Sequence, residues 1–371
     1  MPSILPRLLL CALLAFAIPT QAAEAWPDPD WPRAPIPTGP ALSAFEAYAF
    51  PLRNERSRKG IRSDAVVVIR DGQLIYERYA GPTRPETPHL VWSVSKSVMA
   101  SVLGVAYGEG RFRLDDPVAQ YYPPFREHSQ ITLRHLLNWS SGLAWEEDYE
   151  YAPLTSSVVA MLYTRGRNDM AAFTAPFPQE APAGQRFRYS SGDSNVLSAS
   201  LRQMVGDAYP DYPWTALFEP LGIRSAVWER DGSGTFVGSS YAYMTARDLA
   251  RIGLLMQREG RWRERQLLPR DWIQFVLTPF PYYHPQEEKP GEAVPGGQWW
   301  LNRALEGAPA PWPSASPGTF AALGHWGQAL YVLPEEKLVI VRYADDRDAS
   351  YRHDAFLKLA RAAFVSKEPQ P

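Results

Sequence analysis

Two side chains three residues apart carry the first chemical signal. Ser93-Val94-Ser95-Lys96 sets a hydroxyl and an amine at a spacing that shares one helix face. A neutral amine there takes the hydroxyl proton, and the oxygen can then attack an acyl carbon. At a helix N-terminus, free backbone N–H groups and the helix dipole favour the negative charge that acyl transfer develops. A lysine base must lose its proton near pH 7 from an ordinary value of about 10.4, roughly three units or about 4–5 kcal/mol. Burial pushes in that direction. Val94, Val98, Met99, Val102, Leu103 and Val105, with Ala100, Ser101 and Gly104 between, predict a helix over 94–107 that is buried all round. Lysine occurs only at 59, 96, 289, 337, 358 and 367, and only Lys96 has Ser three residues before it. The same four letters also describe a serine-capped helix with a chance lysine. A lysine among Val, Met and Ala still needs a partner, because an unpaired buried charge is costly.

Two further patches hold reactive groups. Phe187-Arg188-Tyr189-Ser190-Ser191-Gly192-Asp193-Ser194-Asn195 sets a phenol beside hydroxyls and an amide, as a general base or proton relay requires. A polar turn before a helix accounts for it equally well. Leu323-Gly324-His325-Trp326-Gly327-Gln328 precedes the last strands, where His-x-Gly would put a donor side chain and an open backbone N–H on one edge. A glycine-lined strand with a surface histidine is the plainer account of that patch. There is no G-x-S-x-G elbow, H-E-x-x-H, phosphate-binding G-x-x-x-x-G-K-[ST] or dinucleotide G-x-G-x-x-G before a helix. The six histidines, at 89, 128, 135, 284, 325 and 353, form no zinc-like pair, so no metal is expected. His135 reads as a packed residue on a short helix.

The chain that must position these groups has 371 residues, enough for one large domain or two intimate ones. A hydrophobic share of 45% with 21% charged residues excludes wholesale disorder. The net charge of −2, without a basic stripe, gives no electrostatic reason to expect nucleic acid. Thirty-six prolines and 13% aromatics predict many rigid loops and large stacking side chains.

Residues 1–25 read as an export signal: Arg7, an apolar stretch from Leu8 to Ile18, then small residues that suit cleavage after Ala22 or Ala25. A membrane span needs about 20 apolar residues, and Pro19 and Gln21 end this one too early. Cys11 follows Leu10 and not a small residue, which argues against a lipid anchor. Cleavage removes Cys11, the only cysteine, so the mature protein is expected to have neither disulfide nor thiolate site, no stable membrane anchor, and a periplasmic or secreted location.

A Pro-rich arm is expected over 26–40 and a helix over 41–53. Asp71-Gly72 between Ala65–Arg70 and Gln73–Tyr79 predicts a hairpin. Thr132 is expected to cap one short helix and Thr245 a helix running to Met256. Segments 279–297 and 307–318 read as loops, 329–333 and 338–343 as strands, and 349–365 as a final helix. Strands near both ends with helices between predict an α/β (α+β) chain. Its antiparallel sheet comes from 41–109 and 236–371, flanked by helices, and 110–235 is an inserted all-helical part.

In this order and spacing the three patches resemble the serine β-lactamase and penicillin-binding-protein superfamily. The likeness is to its class C-related esterase and nylon-oligomer (6-aminohexanoate-dimer) hydrolase branch, over about residues 41 to 365. It includes Ile131-Thr132-Leu133-Arg134-His135-Leu136-Leu137 with Ser140-Ser141-Gly142-Leu143, and Trp145-Glu146-Glu147-Asp148-Tyr149. Met244-Thr245-Ala246-Arg247-Asp248-Leu249-Ala250-Arg251 and Gly324-His325-Trp326-Gly327-Gln328-Ala329-Leu330-Tyr331-Val332 extend it.

The resemblance implies a β-lactamase/transpeptidase-like fold with Ser93 as acylated nucleophile, Lys96 as its base and Tyr189 as the relay to leaving group and water. It implies an oxyanion hole made by the backbone N–H groups of Ser93 and Gln328. His325, Trp326, Gly327 and Ser191 would face substrate, and Tyr149 would lie on the rim. Whether Lys96 or Tyr189 is the base stays open at this level, since their titrations would be coupled. The usual third-motif Lys-Thr-Gly is here His325-Trp326-Gly327, with a weaker and pH-dependent charge. The second motif ends in Ser191 where Asn is usual. Both departures lower the expectation of penicillin turnover.

The implied function is an exported serine hydrolase of small esters or amides, needing no cofactor and binding neither nucleic acid nor membrane. The alternatives are a D,D-peptidase or weak β-lactamase, and a binding protein that lost turnover. Tyr282, Tyr283, Trp299, Trp300 and Trp312 could wall an apolar acyl pocket or pack in the core. The sequence carries no signal of oligomeric state.

Overall fold

The computed structural model describes residues 24–287 and 292–365. The export signal falls outside them up to residue 23, as do Cys11, Lys289 and Lys367. Seven antiparallel strands form the main sheet: β1 (Ser63–Arg70), β2 (Gln73–Tyr79), β3 (Val294–Pro295), β4 (Trp300–Leu301), β5 (Phe320–Gly324), β6 (Gln328–Leu333) and β7 (Leu338–Ala344). Their spatial order is β2-β1-β7-β6-β5-β4-β3. Strands from both ends of the chain therefore pair side by side, Val67 opposite Val341. The Asp71-Gly72 turn closes the first hairpin with both residues at positive φ, 51° and 78°, the conformation that matches strand twist.

Helices α1 (Pro40–Ala49) and α5 (His353–Phe364) cover one side of the sheet, where the Phe45 ring meets Tyr76, Phe356 and Phe364. On the other side lies α4 (Ala246–Gln257). Its Thr245 hydroxyl accepts from the Asp248 N–H, and Gly253 lets it settle against Val339 and Leu330. Helix α2 (Val94–Gly108) packs between the sheet and α3 (Ser191–Val205), the longest helix of the inserted part. Every residue of α2 from Val94 to Ala106 is buried. Its serines are tie points: Ser95 accepts from the Ala242 N–H, and Ser97 donates to the Gln298 carbonyl.

Several local expectations change. Strand β5 and the short edge pair β3–β4 lie in segments read as loops or passed over; the first helix ends about a turn before, and the last begins about a turn after, the expected residues. Thr132 stands at the N-cap of the short helix Leu133–Leu137, as expected. What the sequence did not show is the reciprocal bond, His135 Nδ1 accepting the Thr132 N–H at 3.1 Å. His135 is thereby a packed structural residue, as its setting in the sequence suggested.

Candidate active site

The site begins with a bent backbone. Trp92 sits at φ 50°, a left-handed conformation that turns the chain into α2 and leaves Ser93 at its N-terminus. The Ser93 hydroxyl does not cap its own helix. It lies 3.0 Å from Lys96 Nζ, one turn along. Lys96 is 1% exposed, and its amine also meets Ser191 Oγ and the Ser239 carbonyl, each at 3.0 Å. Burial lowers the amine to about 8, against the opposing pull of the Glu147 carboxylate.

Hydrogen-bond directions follow from the partners. Glu147 Oε1 accepts from the Ser191 hydroxyl at 2.5 Å, and Glu147 Oε2 from the Ser191 N–H at 2.9 Å and from Trp145 Nε1 at 2.5 Å. The Ser191 proton is thus spent on Glu147, so its oxygen must accept from Lys96. The Ser239 carbonyl can only accept. A neutral Lys96 has two protons, both used by these acceptors, and its lone pair is left facing the Ser93 hydroxyl.

Tyr189 stands just before α3, whose N-cap Ser190 accepts from the Asp193 N–H. The phenol is hydrogen-bonded to Ser93, and its ring packs between Trp139 and Trp300, 4.8 and 5.5 Å between centroids, with Lys96 Nζ over its face. Burial first, then Glu147, pushes the phenol far above its ordinary value, so it stays protonated through the neutral range. Beneath this group Asp193, fully buried, accepts hydrogen bonds from the Ser141 and Ser190 hydroxyls, and burial raises it to about 7.

Ser93 and Tyr189 open into a cavity of about 500 Å³. Loop 147–151, Ala293, Trp300, Trp312, Gly324, His325 and His353 complete its walls. Tyr149 lies on this rim, its ring 4.8 Å from His325. His325 Nε2 is 3.0 Å from Glu150 Oε1, and burial lowers the imidazole despite that carboxylate. The turn His325–Gly327 has Trp326 at φ 58° and Gly327 at φ 88°, and it delivers Gln328 to the start of β6. Gly324, across from Gln328 in the ladder, lies against the Ser93 amide with no side chain between.

Not all of the residues expected to face substrate do so. Ser191 is fully buried below the cavity, because its hydroxyl bridges Lys96 and Glu147. Gly327 has its back to the Arg342–Asp346 pair, and Trp326 turns toward Arg347 and Trp92. Of the five loop aromatics, Trp300 and Trp312 line the cavity; Trp299 packs on Phe320, Tyr283 is buried elsewhere and Tyr282 is exposed. The reading of the sequence passed over Glu147 as a distinct residue and the Ser239 carbonyl. Glu147 was within the Trp145–Tyr149 stretch, but three consecutive carboxylates there gave no sign of which turns inward. A main-chain acceptor such as Ser239 leaves no trace in residue type. Among the described residues, no cluster of His, Cys, Asp or Glu could hold a metal ion.

Comparison with known proteins agrees with this architecture. The β-lactamase family model matches residues 46–363. A 6-aminohexanoate-dimer hydrolase of Paenarthrobacter ureafaciens is 27% identical over 355 residues, 92% of this chain and 86% of that protein. A solved Bacillus anthracis structure assigned to 6-aminohexanoate-dimer hydrolases superposes with a TM-score of 0.71 at 21% identity, over 94% of this chain and 91% of that one. EstCE1, a hydrolase with promiscuous acyltransferase activity, gives 0.66 at 18% identity, over 87% and 98%. At those identities the two structures speak for the fold alone. Fold and family model agree over nearly the whole described chain, which is a hydrolase of the β-lactamase family.

Proposed function

We propose that the chain is an exported serine hydrolase that cleaves small esters or amides through an acyl-enzyme on Ser93. The observation that carries this reading is the proton count around Lys96. Two of its acceptors are fixed, so the neutral amine has only the Ser93 hydroxyl to receive from. In this reading Lys96 is the base. It takes the Ser93 proton as Oγ bonds to the acyl carbon, and the carbonyl oxygen becomes an oxyanion held by the Ser93 and Gln328 amides. Tyr189, kept protonated by burial, passes its proton to the leaving alcohol or amine and is reprotonated from Lys96. The same pair then deprotonates water for attack on the ester of Ser93, releasing acid and restoring the hydroxyl. The P. ureafaciens relative acts, by its name, on an amide dimer, which supports amides beside esters as substrates.

Two observations weigh against the β-lactam alternative: among the described residues the cavity lining has no Lys or Arg, and His325 is engaged by Glu150. The deciding experiment is turnover of p-nitrophenyl butyrate by the mature protein and its Ser93→Ala variant, beside a chromogenic cephalosporin. Ester turnover lost with Ser93, and little on the cephalosporin, is the expected result. Fast cephalosporin hydrolysis would favour the β-lactamase reading, and equal inertness of both proteins on both substrates would favour a binding protein.

For export, the expected mature start follows Ala22. Glu24 is gripped by Arg258 and Arg261 at 2.5 and 2.6 Å, contacts that cleavage after Ala25 would discard. N-terminal sequencing of the protein recovered outside the cytoplasm checks both points.

A further inference from the structure

Behind the turn that delivers Gln328 lies a buried ion pair that the reaction scheme does not use. Arg342 on β7 is fully buried, and it forks onto Asp346 with Nη1 to Oδ2 at 2.6 Å and Nη2 to Oδ1 at 3.1 Å. Its Nε donates to Ser63 Oγ at 2.9 Å, and the Tyr351 ring lies 3.8 Å from its guanidinium carbon. The remaining reach of Nη1 goes to the Gly327 carbonyl at 3.1 Å. Neighbouring carbonyls of the turn are held too. The Asp346 N–H donates to Trp326 O at 3.0 Å, and Gln328 Nε2 donates to His325 O at 3.2 Å. The Gln328 side chain is itself fastened to both backbone groups of Ala344.

The carbonyl of Gly327 and the N–H of Gln328 belong to one peptide plane. That bond is trans, and in a trans peptide the two groups point in opposite directions. Drawing the carbonyl toward Arg342 therefore aims the Gln328 N–H away from it, to the side where Gly324 meets the Ser93 amide. Glycine is required at 327 for two separate reasons. Its φ is 88°, and a Cβ there would strike both Asp346 and Arg342.

We infer that Arg342 is a positioning residue for the oxyanion site: through the Gly327 carbonyl it sets the direction of the Gln328 N–H. This rests on the proposed acyl-transfer function and adds to it a residue that touches neither substrate nor reacting atoms. The guanidinium suits the role because one planar fork serves Asp346, Ser63 and Gly327 at once, which a lysine ammonium cannot do. A misdirected donor weakens binding of the tetrahedral oxyanion while leaving ground-state binding intact.

The test uses Arg342→Lys, which keeps a cation beside Asp346, with p-nitrophenyl butyrate as substrate and phenylboronic acid as a tetrahedral adduct on Ser93. The expected result is a fall in kcat of about ten- to a hundredfold, KM within about twofold, and a boronate inhibition constant raised by a similar factor. Asp346→Asn is the second variant. It keeps the donor to Gly327 and loses the charge pair, so it should lose at least as much thermal stability as Arg342→Lys but less kcat. If activity in the two variants simply follows Tm, or if Arg342→Lys keeps kcat and boronate affinity within about twofold, the positioning role is wrong. Ser93→Ala run on the same ester keeps the two readings apart. Undiminished turnover there removes the acyl-enzyme itself, whatever Arg342 does.

Discussion

The cavity has two walls built on opposite terms. On the α2–α3 side the polar groups interlock: Ser191, at the start of α3, bridges Lys96 and the Glu147 carboxylate that reaches in from its loop. On the rim, residues 148–151 have no regular structure, Glu150 is exposed, and aromatic and acidic side chains face the opening. In the proposed reading the first wall has one arrangement and holds the bond-making groups. The rim beyond Glu147 can change without disturbing them, which makes reaction and substrate choice separable.

That separation has a gradient of consequences. Ser93→Ala should cut ester turnover by at least about a thousandfold, measured as kcat/KM. The pH profile should rise as Lys96 loses its proton, with a midpoint near the value of about 8 that burial gives it, because the neutral amine is the active form. Glu147→Gln should move that midpoint to lower pH, since the carboxylate is what holds the lysine up against burial. It should also lower the plateau by about tenfold, through loss of a charged hydrogen bond to Ser191. An unmoved midpoint would mean that the helical wall is less tightly coupled than its hydrogen bonds imply.

Stability gives a third probe of the same wall. Asp193 has its folded value raised to about 7 from 3.8, so the folded state holds its proton more firmly and stability falls as pH rises between those values. Asp193→Asn should melt higher than wild type at pH 8, with the advantage shrinking toward pH 4. On the rim, Glu150→Gln should change butyrate turnover by no more than about threefold, because His325 already stays largely neutral through burial. Leu154, three residues past the rim loop and 98% exposed, should tolerate Ser with stability unchanged within about 0.5 kcal/mol. A large loss from either change would break the contrast.

The helical wall was also the legible one. Ser93 and Lys96 meet through an i,i+3 relation inside one helix, and the Asp71-Gly72 hairpin is equally local, so short-range pattern found both. Strand β5 and the pair β3–β4 exist because β6 offers them an edge, which no short window of sequence contains. Glu147 is chosen over Glu146 and Asp148 only when the loop folds onto α3. The Thr132 cap was legible because it is local, whereas the His135 imidazole that closes the same end from the other side was read only as packing. Tyr149 and His325 were singled out individually, but the contact of their rings and the partnership of His325 with Glu150 depend on loop closure.

The pairing of β1 with β7 has a consequence for how the molecule comes into being. A ribosome releases Ser93 and Lys96 early, on a helix whose sheet still lacks its centre, and the amide of Gln328 emerges far later. The first hairpin must wait for the last strand, so folding depends on contacts between distant parts of the chain and should be slow. Until the C-terminal strands dock, Ser93 has no second amide opposite it. In the proposed reading a nascent chain is thus chemically silent, its hydrolytic power switched on by the final stroke of assembly.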